Sequence, residues 1–145
     1  MKFPESIRLE TGQGGLKRLV IKTSQADAEI YLHGAHVTQF QPRGQKPVLF
    51  MSGKSWFEPG KPIRGGVPIC FPWFGPGQEG RPAHGFARLK EWDVTGAEVT
   101  GDGAVELSFQ LDARPEFVVN FRVTIGAALG MELRVRNPSE QPLRF

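Results

Sequence analysis

The sequence predicts an all-β fold, and three observations support this prediction. Apolar and polar residues alternate along several stretches, as they do in half-buried antiparallel strands. Short glycine-containing segments at 101–103 and 128–130 lie between these stretches and are typical of hairpin connections. No window of about a dozen residues has the 3.6-residue apolar period of an amphipathic helix. Together these features favour antiparallel sheets.

The alternation is clearest in the last third of the chain, at 105–111, 119–125 and 131–137. In each of these stretches the apolar residues are expected to face a core and the polar ones to face solvent. Weaker strands are expected at 16–22, 29–32, 36–41, 48–50 and 92–98. A last strand is indicated from Leu143, after a turn at 138–142, and it would leave an open sheet edge.

The composition is that of one globular domain. The chain has 145 residues, of which 39% are hydrophobic and 23% charged, and this length allows a sizeable core. The net charge of +3 is spread along the chain, which argues against a nucleic-acid stripe or a polybasic membrane patch but suits an anionic small-molecule ligand. Cys70 is the only cysteine, so no intrachain disulfide is expected. The N-terminal residues lack the apolar run of a signal peptide and no stretch reaches membrane-spanning length, so we expect a cytoplasmic location.

The most informative part of the chain is segment 60–76 together with 84–88. Glycines, prolines, aromatic residues and arginines are interleaved there, and the prolines remove donors that a central strand needs. Gly65 and Gly66 lack side chains, which suits a close approach of the backbone to another group. Residues 51–91 as a whole form a long excursion between strands, and such excursions tend to be functional. We therefore expect a binding surface here.

Two arginines of this segment are candidates for holding an anion. Arg64 precedes two glycines, and a guanidinium is suited to bidentate contacts with a carboxylate or a phosphate. The alternative for Arg64 is a structural ion pair, for example with Glu58. Arg88 supplies a further cation, and its alternative is a salt bridge at the start of a strand.

Three more side chains could contact a ligand. His84 stands before a glycine in a proline-rich loop and is a candidate general acid or a hydrogen-bond donor to a sugar hydroxyl. The alternative is a loop histidine that the backbone satisfies. Glu79 could in principle be its carboxylate partner, but we do not expect that role. Trp73 and Phe74 are suited to stacking on a sugar ring or a base, and equally to forming the apolar floor of the loop.

The spacing of His33 and His36 invites a metal site, but we expect none. Side chains at i and i+3 of a strand point to opposite faces. Gly34-Ala35 could bend the chain and bring the two rings together, yet no third ligand lies at a supporting spacing. Cys70 has apolar neighbours in the sequence, which favours core packing over nucleophilic catalysis.

Several motifs are long and unusual enough to be specific. Pro-Ile-Arg-Gly-Gly-Val-Pro-Ile-Cys-Phe-Pro-Trp-Phe-Gly occupies 62–75, and Pro-Ala-His-Gly-Phe-Ala-Arg occupies 82–88. Leu-His-Gly-Ala-His-Val-Thr at 32–38, Leu-Arg-Val-Arg-Asn-Pro at 133–138 and Trp92 accompany them. These residues closely resemble the glucose-6-phosphate 1-epimerases, or hexose-6-phosphate mutarotases, of the aldose 1-epimerase superfamily. The resemblance runs along nearly the whole chain.

The resemblance implies a large antiparallel β-supersandwich of the galactose mutarotase type. It also implies a cofactor-free interconversion of the α and β anomers of a hexose 6-phosphate. A base takes the proton of the anomeric hydroxyl and an acid protonates the ring oxygen, so the ring opens, C1 rotates and the ring closes again. The acid is a histidine in that family and the base a glutamate. Arg64 and Arg88 are implied to hold the phosphate or the sugar, and His84 to line the sugar pocket.

Members of that family are about twice as long as this chain. The resemblance therefore implies that residues 1–145 are the N-terminal portion of a single mutarotase-like β-sandwich domain, with the catalytic histidine and glutamate beyond Phe145. We expect the substrate-binding part of such an enzyme, with no catalytic residue, metal or cofactor of its own. The expected binding residues are Arg64, His84, Arg88, Trp73 and Phe74. The alternative is a non-catalytic sandwich that binds carbohydrate or self-associates through its open edge. The expected partner is a small hexose phosphate, with no nucleic acid and no membrane.

Overall fold

Eight strands form two antiparallel sheets in the computed structural model, which describes residues 1–114 and 116–145. The first sheet consists of β1 (Ile7–Thr11), β2 (Lys17–Lys22), β3 (Ala26–Tyr31) and β4 (His36–Pro42). The second consists of β5 (Asp93–Val99), β6 (Val105–Ala113), β7 (Phe117–Ile125) and β8 (Leu129–Arg136). In both sheets the strands lie side by side in chain order. The all-β prediction is confirmed.

The two sheets face each other, and the main core lies between them. β3 contacts β7 across this core, and alternate residues of β6 and β7 point into it. Phe109 lies opposite Phe121 and Leu107 opposite Val123 in the β6–β7 register, and all four side chains are buried. Trp92, directly before β5, is also buried, and its indole nitrogen donates to the carbonyl of Ala87 at 2.9 Å. The alternation in the sequence therefore marks the buried face correctly for these two strands.

The last strand behaves differently from its neighbours. The register pairs Met131 with Val123 and Leu133 with Phe121, so their side chains lie on the core-facing side of the second sheet. Met131 is nevertheless 44% exposed and Leu133 42% exposed. β8 is an edge strand of the second sheet, so it has a neighbouring strand on one side only. The expectation of a half-buried apolar face is wrong for these two residues, whereas Val135 packs against the core.

Four other local features differ from the expectations. β1 was not predicted, because its alternation covers only five residues and is too short to stand out. Residues 48–50 are not a strand: Val48 donates one hydrogen bond to Phe40, and the chain then turns away. No strand begins at Leu143 either, and the Phe145 ring instead makes a tilted contact with Phe71 and an edge-on contact with Phe117. The last hairpin turn lies before Leu129, slightly earlier than expected.

The predicted excursion between strands is present. Between β4 and β5 the described residues contain one 3-10 turn, Ala87–Leu89, and isolated β-bridges in place of strands. Part of this excursion covers the outer face of the first sheet, where Ile63 packs with Leu16 and Tyr31 in a second, smaller apolar cluster. In the described residues no helix is both long and apolar enough to cross a bilayer.

Candidate functional site

The turn between β3 and β4 joins the two segments that carry the candidate arginines. Gly34 and Ala35 both have left-handed backbone conformations, with φ of 79° and 44°, and they reverse the chain between His33 and His36. On one side, the Gly34 amide donates to the carbonyl of Lys90 at 2.7 Å. On the other side, the His36 ring lies against Gly65 and Gly66. The turn is therefore the common support of both segments.

The backbone around Arg64 is anchored on both sides. The Arg64 amide donates to Ser55 Oγ at 2.9 Å, and its carbonyl accepts from the Ser52 amide at 3.1 Å. Ile63, the preceding residue, is buried. The Arg64 side chain itself is exposed. The arginine thus extends to solvent from a fixed main chain, which reduces the entropy lost when its guanidinium binds a ligand.

The alternative partner of Arg64 is engaged elsewhere. Glu58 forms its ion pair with Lys61, at 3.3 Å. Among the residues that the structure describes, Arg64 takes part in no salt bridge. The structural ion pair with Glu58 that the sequence suggested for Arg64 is therefore not formed.

Gly66 allows the arginine segment to pack directly on β4. A Cβ atom at Gly66 would lie 2.3 Å from the carbonyl oxygen of Val37 and 3.1 Å from His36 Nε2. The first distance is too short for any side chain, and the second is tighter than most real contacts of a Cβ atom. The Gly66 φ of 58° is also in the left-handed region that glycine tolerates. The close backbone approach expected from the sequence is present, and the backbone approaches the protein's own sheet.

His84 is held in one tautomer by the main chain of Gly75. The His84 amide donates to the Gly75 carbonyl at 2.8 Å, and the Gly75 amide donates to His84 Nδ1 at 3.0 Å. Because Nδ1 accepts this bond, the proton of the neutral ring must be on Nε2. His84 also has a left-handed φ of 63°, which is uncommon for a residue other than glycine. The loop therefore presents an N–H donor that suits a sugar oxygen.

Arg88 lies beside this histidine loop. It belongs to the 3-10 turn Ala87–Leu89, and one guanidinium nitrogen donates to the carbonyl of Ala83 at 3.0 Å. Its Nε atom is buried without a hydrogen-bond partner in the described structure. The salt bridge considered from the sequence is absent among the described residues. Arg88 thus retains donor capacity next to His84.

Trp73 and Phe74 have different surroundings. The Trp73 indole donates to the carbonyl of Pro82 at 3.0 Å and packs edge-on against Phe86, so it stabilises the loop. Phe74 is 81% exposed, and its ring contacts the His84 ring edge to face, with the two ring centroids 4.7 Å apart. Both aromatic residues line an open groove of about 490 Å³. That groove does not include Arg64, His84 or Arg88, so the structure does not gather the five expected binding residues into one cavity.

The two histidines of the β3–β4 turn contact the excursion. His33 Nε2 lies 2.7 Å from the carbonyl oxygen of Lys61, and His36 Nε2 lies 2.6 Å from that of Gly65. The bend at Gly34-Ala35 does bring both rings to one segment. In the described part of the chain no group of three histidine, cysteine or carboxylate residues is placed to hold a metal. Burial lowers the pKa of His36 to about 4, and the charge of Arg88 contributes in the same direction.

The role of these histidines was missed from the sequence. Their spacing was considered only as a metal motif, and the carbonyl partners lie about thirty residues further along the chain. The one local signal was the glycine in the intervening turn, which favours a tight reversal.

Comparisons with known proteins identify the family of this chain. The family profile described as aldose 1-epimerase matches residues 17–142. A protein of Escherichia coli (strain K12) named "Putative glucose-6-phosphate 1-epimerase" is 43% identical over 102 residues, which are 70% of this chain and 34% of the relative. A protein of the same name from Salmonella typhimurium is 37% identical over 127 residues, covering 81% of this chain and 43% of the relative.

A solved structure supports the same family assignment. The crystal structure of a "putative mutarotase" from Salmonella typhimurium superimposes with a TM-score of 0.86 at 31% sequence identity. The match covers 93% of this chain and 48% of that one. This chain thus spans less than half the length of these relatives. Its two-sheet architecture and nearly all of its sequence place it in one family: the chain belongs to the aldose 1-epimerase family.

Proposed function

We propose that this chain provides the substrate-binding part of an enzyme that interconverts the α and β anomers of a hexose 6-phosphate. The observation that carries this proposal is the placement of Arg64, His84 and Arg88. The segment of Arg64 is bonded to His36 at the β3–β4 turn, and Arg88 lies against Gly34 of the same turn. Arg88 also donates to Ala83, which precedes His84, and the His84 ring accepts from Gly75. The names of the relatives refer to glucose 6-phosphate, and they support the choice of substrate.

The chemistry assigns distinct tasks to these groups. A phosphate dianion needs cationic, multidentate donors, and an arginine guanidinium supplies them. Arg64 is free of internal ion pairs among the described residues and is our first candidate for the phosphate. The Nε2–H donor of His84 is suited to a ring or hydroxyl oxygen of the sugar, and Arg88 lies next to it.

Anomer exchange itself needs an acid and a base. The base removes the proton from the anomeric hydroxyl while the acid protonates the ring oxygen, and the C1–O5 bond breaks to give the open-chain aldehyde. Rotation about C1–C2 and closure with the proton transfers reversed complete the exchange. We assign this proton-transfer pair to residues outside 1–145, and the groups within 1–145 to binding and orientation.

Two measurements on the 145-residue chain test this proposal. Titration with glucose 6-phosphate, followed by ¹H–¹⁵N NMR, should perturb the amides around Arg64 and His84. Polarimetry of freshly dissolved α-glucose 6-phosphate should show a rate equal to that of buffer. Acceleration that Arg64→Ala abolishes would contradict our assignment of the acid and base. Absence of binding at millimolar sugar phosphate would contradict the proposal as a whole.

A second candidate function is self-association through the second sheet. The observation that favours it is the exposed apolar side of β8, where Met131 and Leu133 are 44% and 42% exposed on an edge strand. The partner in this case is a second copy of the chain, which would cover these residues and pair with the free edge.

A further inference from the structure

We propose that His33 and His36 form a clamp that positions the Arg64 segment for anion binding. The anion-binding part of this inference rests on the proposed function, but the clamp itself concerns only the protein. We use "histidine clamp" for these two side chains and their bonds to the carbonyl oxygens of Lys61 and Gly65. These two carbonyls stand on either side of Arg64 in the chain.

The direction of both hydrogen bonds follows from their partners. A backbone carbonyl can only accept, so each Nε2 atom must carry the proton. The two distances, 2.7 Å from His33 and 2.6 Å from His36, are in the range of well-formed hydrogen bonds. Both rings are buried, at 4% and 0% exposure. Buried donors and acceptors that pair in this way are costly to separate, because each would be left unsatisfied.

The histidine clamp binds the Arg64 segment close to other contacts that fix the same main chain. Between the two carbonyls, Ile63 anchors the segment in the second apolar cluster. Directly after them, the Gly66 amide donates to the Phe50 carbonyl at 2.7 Å. A shift of the Gly65 carbonyl would therefore also move Arg64, whose own amide and carbonyl are bonded to Ser55 and Ser52. His36 thus acts on the arginine through the main chain and is a positioning residue.

His36 also lies within electrostatic reach of the second arginine, because, besides burial, the charge of Arg88 lowers the pKa of His36. Its Nδ1 atom is buried without a partner in the described structure, and so is Arg88 Nε. In the tautomer fixed by Gly65, Nδ1 is an acceptor, whereas Arg88 Nε–H is a donor. These two groups are therefore an acceptor and a donor that the described residues leave unpaired. The histidine clamp thus flanks the turn that bonds to both the Arg64 segment and the Arg88 segment.

The first test examines the clamp without any ligand. In the wild-type chain, the imidazole ¹⁵N shifts of His33 and His36 at pH 7 should report the Nε2–H tautomer. In His36→Leu, hydrogen exchange at the Arg64 and Gly66 amides should accelerate about tenfold or more, while protection of the β6–β7 ladder is retained. A Nδ1–H tautomer in the wild type, or unchanged exchange at both amides in the variant, would overturn the clamp.

The second test asks whether His36 acts through Arg64. His36→Leu should weaken glucose 6-phosphate binding about three- to tenfold, because one hydrogen bond to the segment is lost. In an Arg64→Ala background the same substitution should have no further effect, since the group that it positions is absent. A merely structural loss would weaken binding equally in both backgrounds, and that result would overturn the positioning role.

Two further variants control this experiment. His36→Gln keeps a donor near Nε2 and should restore most of the affinity and of the amide protection. Tyr31→Phe removes another buried hydrogen bond on the same face of the first sheet, the one that the Gln13 amide donates at 3.0 Å. It should leave binding unchanged.

If the wild type shows the Nε2–H tautomers and protected amides but no sugar phosphate binding, the proposed function fails while the clamp stands.

Discussion

The carbonyl oxygen of Phe71 occupies the space in which a side chain on Gly85 would lie. A Cβ atom built on Gly85 would be 2.0 Å from that oxygen, and the two residues pair as an isolated parallel bridge. The amides of Phe86 and Ala87 donate to the same carbonyl, at 3.0 and 3.1 Å. This bridge locks together the two loops of the binding surface, and it fixes the position of His84.

Gly85→Ala should therefore destabilise the chain strongly. Gly85 has a φ of 73°, and a left-handed conformation costs an alanine roughly 1–2 kcal/mol. The added methyl group also collides with main-chain atoms that cannot move without breaking the bridge. We expect a total loss of about 3 kcal/mol or more in the free energy of unfolding. Urea denaturation with an unchanged m value measures it.

Gly80→Ala is the matched control for this substitution. Gly80 has nearly the same φ, 76°, but nothing lies within 4 Å of its would-be Cβ atom. The control should show only the conformational cost, about 1–2 kcal/mol. Equal losses in the two variants would mean that the contact with Phe71 carries no energy.

Arg64→Ala should weaken binding of glucose 6-phosphate far more than binding of glucose. Hydrogen bonds to a charged group contribute about 1.5–3 kcal/mol, so we expect the Kd for the sugar phosphate to rise about 10- to 100-fold. The remaining affinity should depend less on salt, because an ion pair has been removed. NMR titrations with both sugars at two ionic strengths measure these effects.

Arg8→Ala provides the charge-matched comparison. Arg8 is exposed on the edge strand β1, so this variant changes the net charge equally without touching the candidate site. It should bind both sugars as the wild type does. A similar loss in both variants would indicate a general electrostatic effect, and a similar loss for both sugars would argue against a phosphate contact.

The buried His36 should make folding stability depend on pH in a defined window. Its pKa is lowered from 6.5 to about 4, so between these values the unfolded chain binds more protons than the folded chain. The contribution of His36 to the free energy of unfolding should be complete above pH 6.5 and should decrease as the pH falls to about 4. Below about pH 4 this contribution should not decrease further. The total loss is on the order of 3 kcal/mol.

Two carboxylates with lowered pKa values titrate outside this window. The pKa of Asp102 and that of Asp112 are lowered by hydrogen bonds from Thr100 and Arg114, respectively. Their contributions are therefore lost only below about pH 3.8. Denaturation curves of the wild type and His36→Gln at pH 7, 5.5 and 4.5 test the assignment. If both lose stability in parallel, His36 is not the group responsible.

Much of the fold could be predicted from the sequence, because strand alternation is a local signal. β6 and β7 follow their pattern since both neighbours and the opposite sheet cover them. β8 carries the same pattern, but its apolar side is exposed because coverage depends on what lies beyond the edge. A local pattern indicates which face is apolar, and only tertiary context decides whether that face is buried.

The candidate site was predicted less completely. Arg64 and His84 were singled out because glycines and prolines mark their loops in the sequence. The support of Arg64 by His36 could not be found in this way, because it depends on a hydrogen bond between His36 and Gly65, which lie 29 residues apart in the chain. Likewise, the separation of the aromatic groove from Arg64 follows from the path of the excursion, which no periodicity encodes.

The exposed side of β8 should drive self-association, which Leu133→Lys should reduce. Leu133 lies on the core-facing side of an edge strand with 42% of its surface exposed. A second copy could cover it and pair with the free strand edge, and burying apolar surface contributes about 25 cal/mol per Å². We expect wild-type chain to shift from monomer to dimer as its concentration rises through the micromolar range, measured by size-exclusion chromatography with light scattering.

Leu9→Lys distinguishes a specific interface from nonspecific hydrophobic association. Leu9 is 47% exposed on β1, the edge strand of the other sheet, so the substitution makes the same chemical change at the same kind of position. If dimers form through β8, Leu133→Lys should raise the dissociation constant about tenfold or more, and Leu9→Lys should leave it unchanged. A wild type that stays monomeric at every concentration would exclude self-association, and a loss only in Leu9→Lys would move the interface to β1.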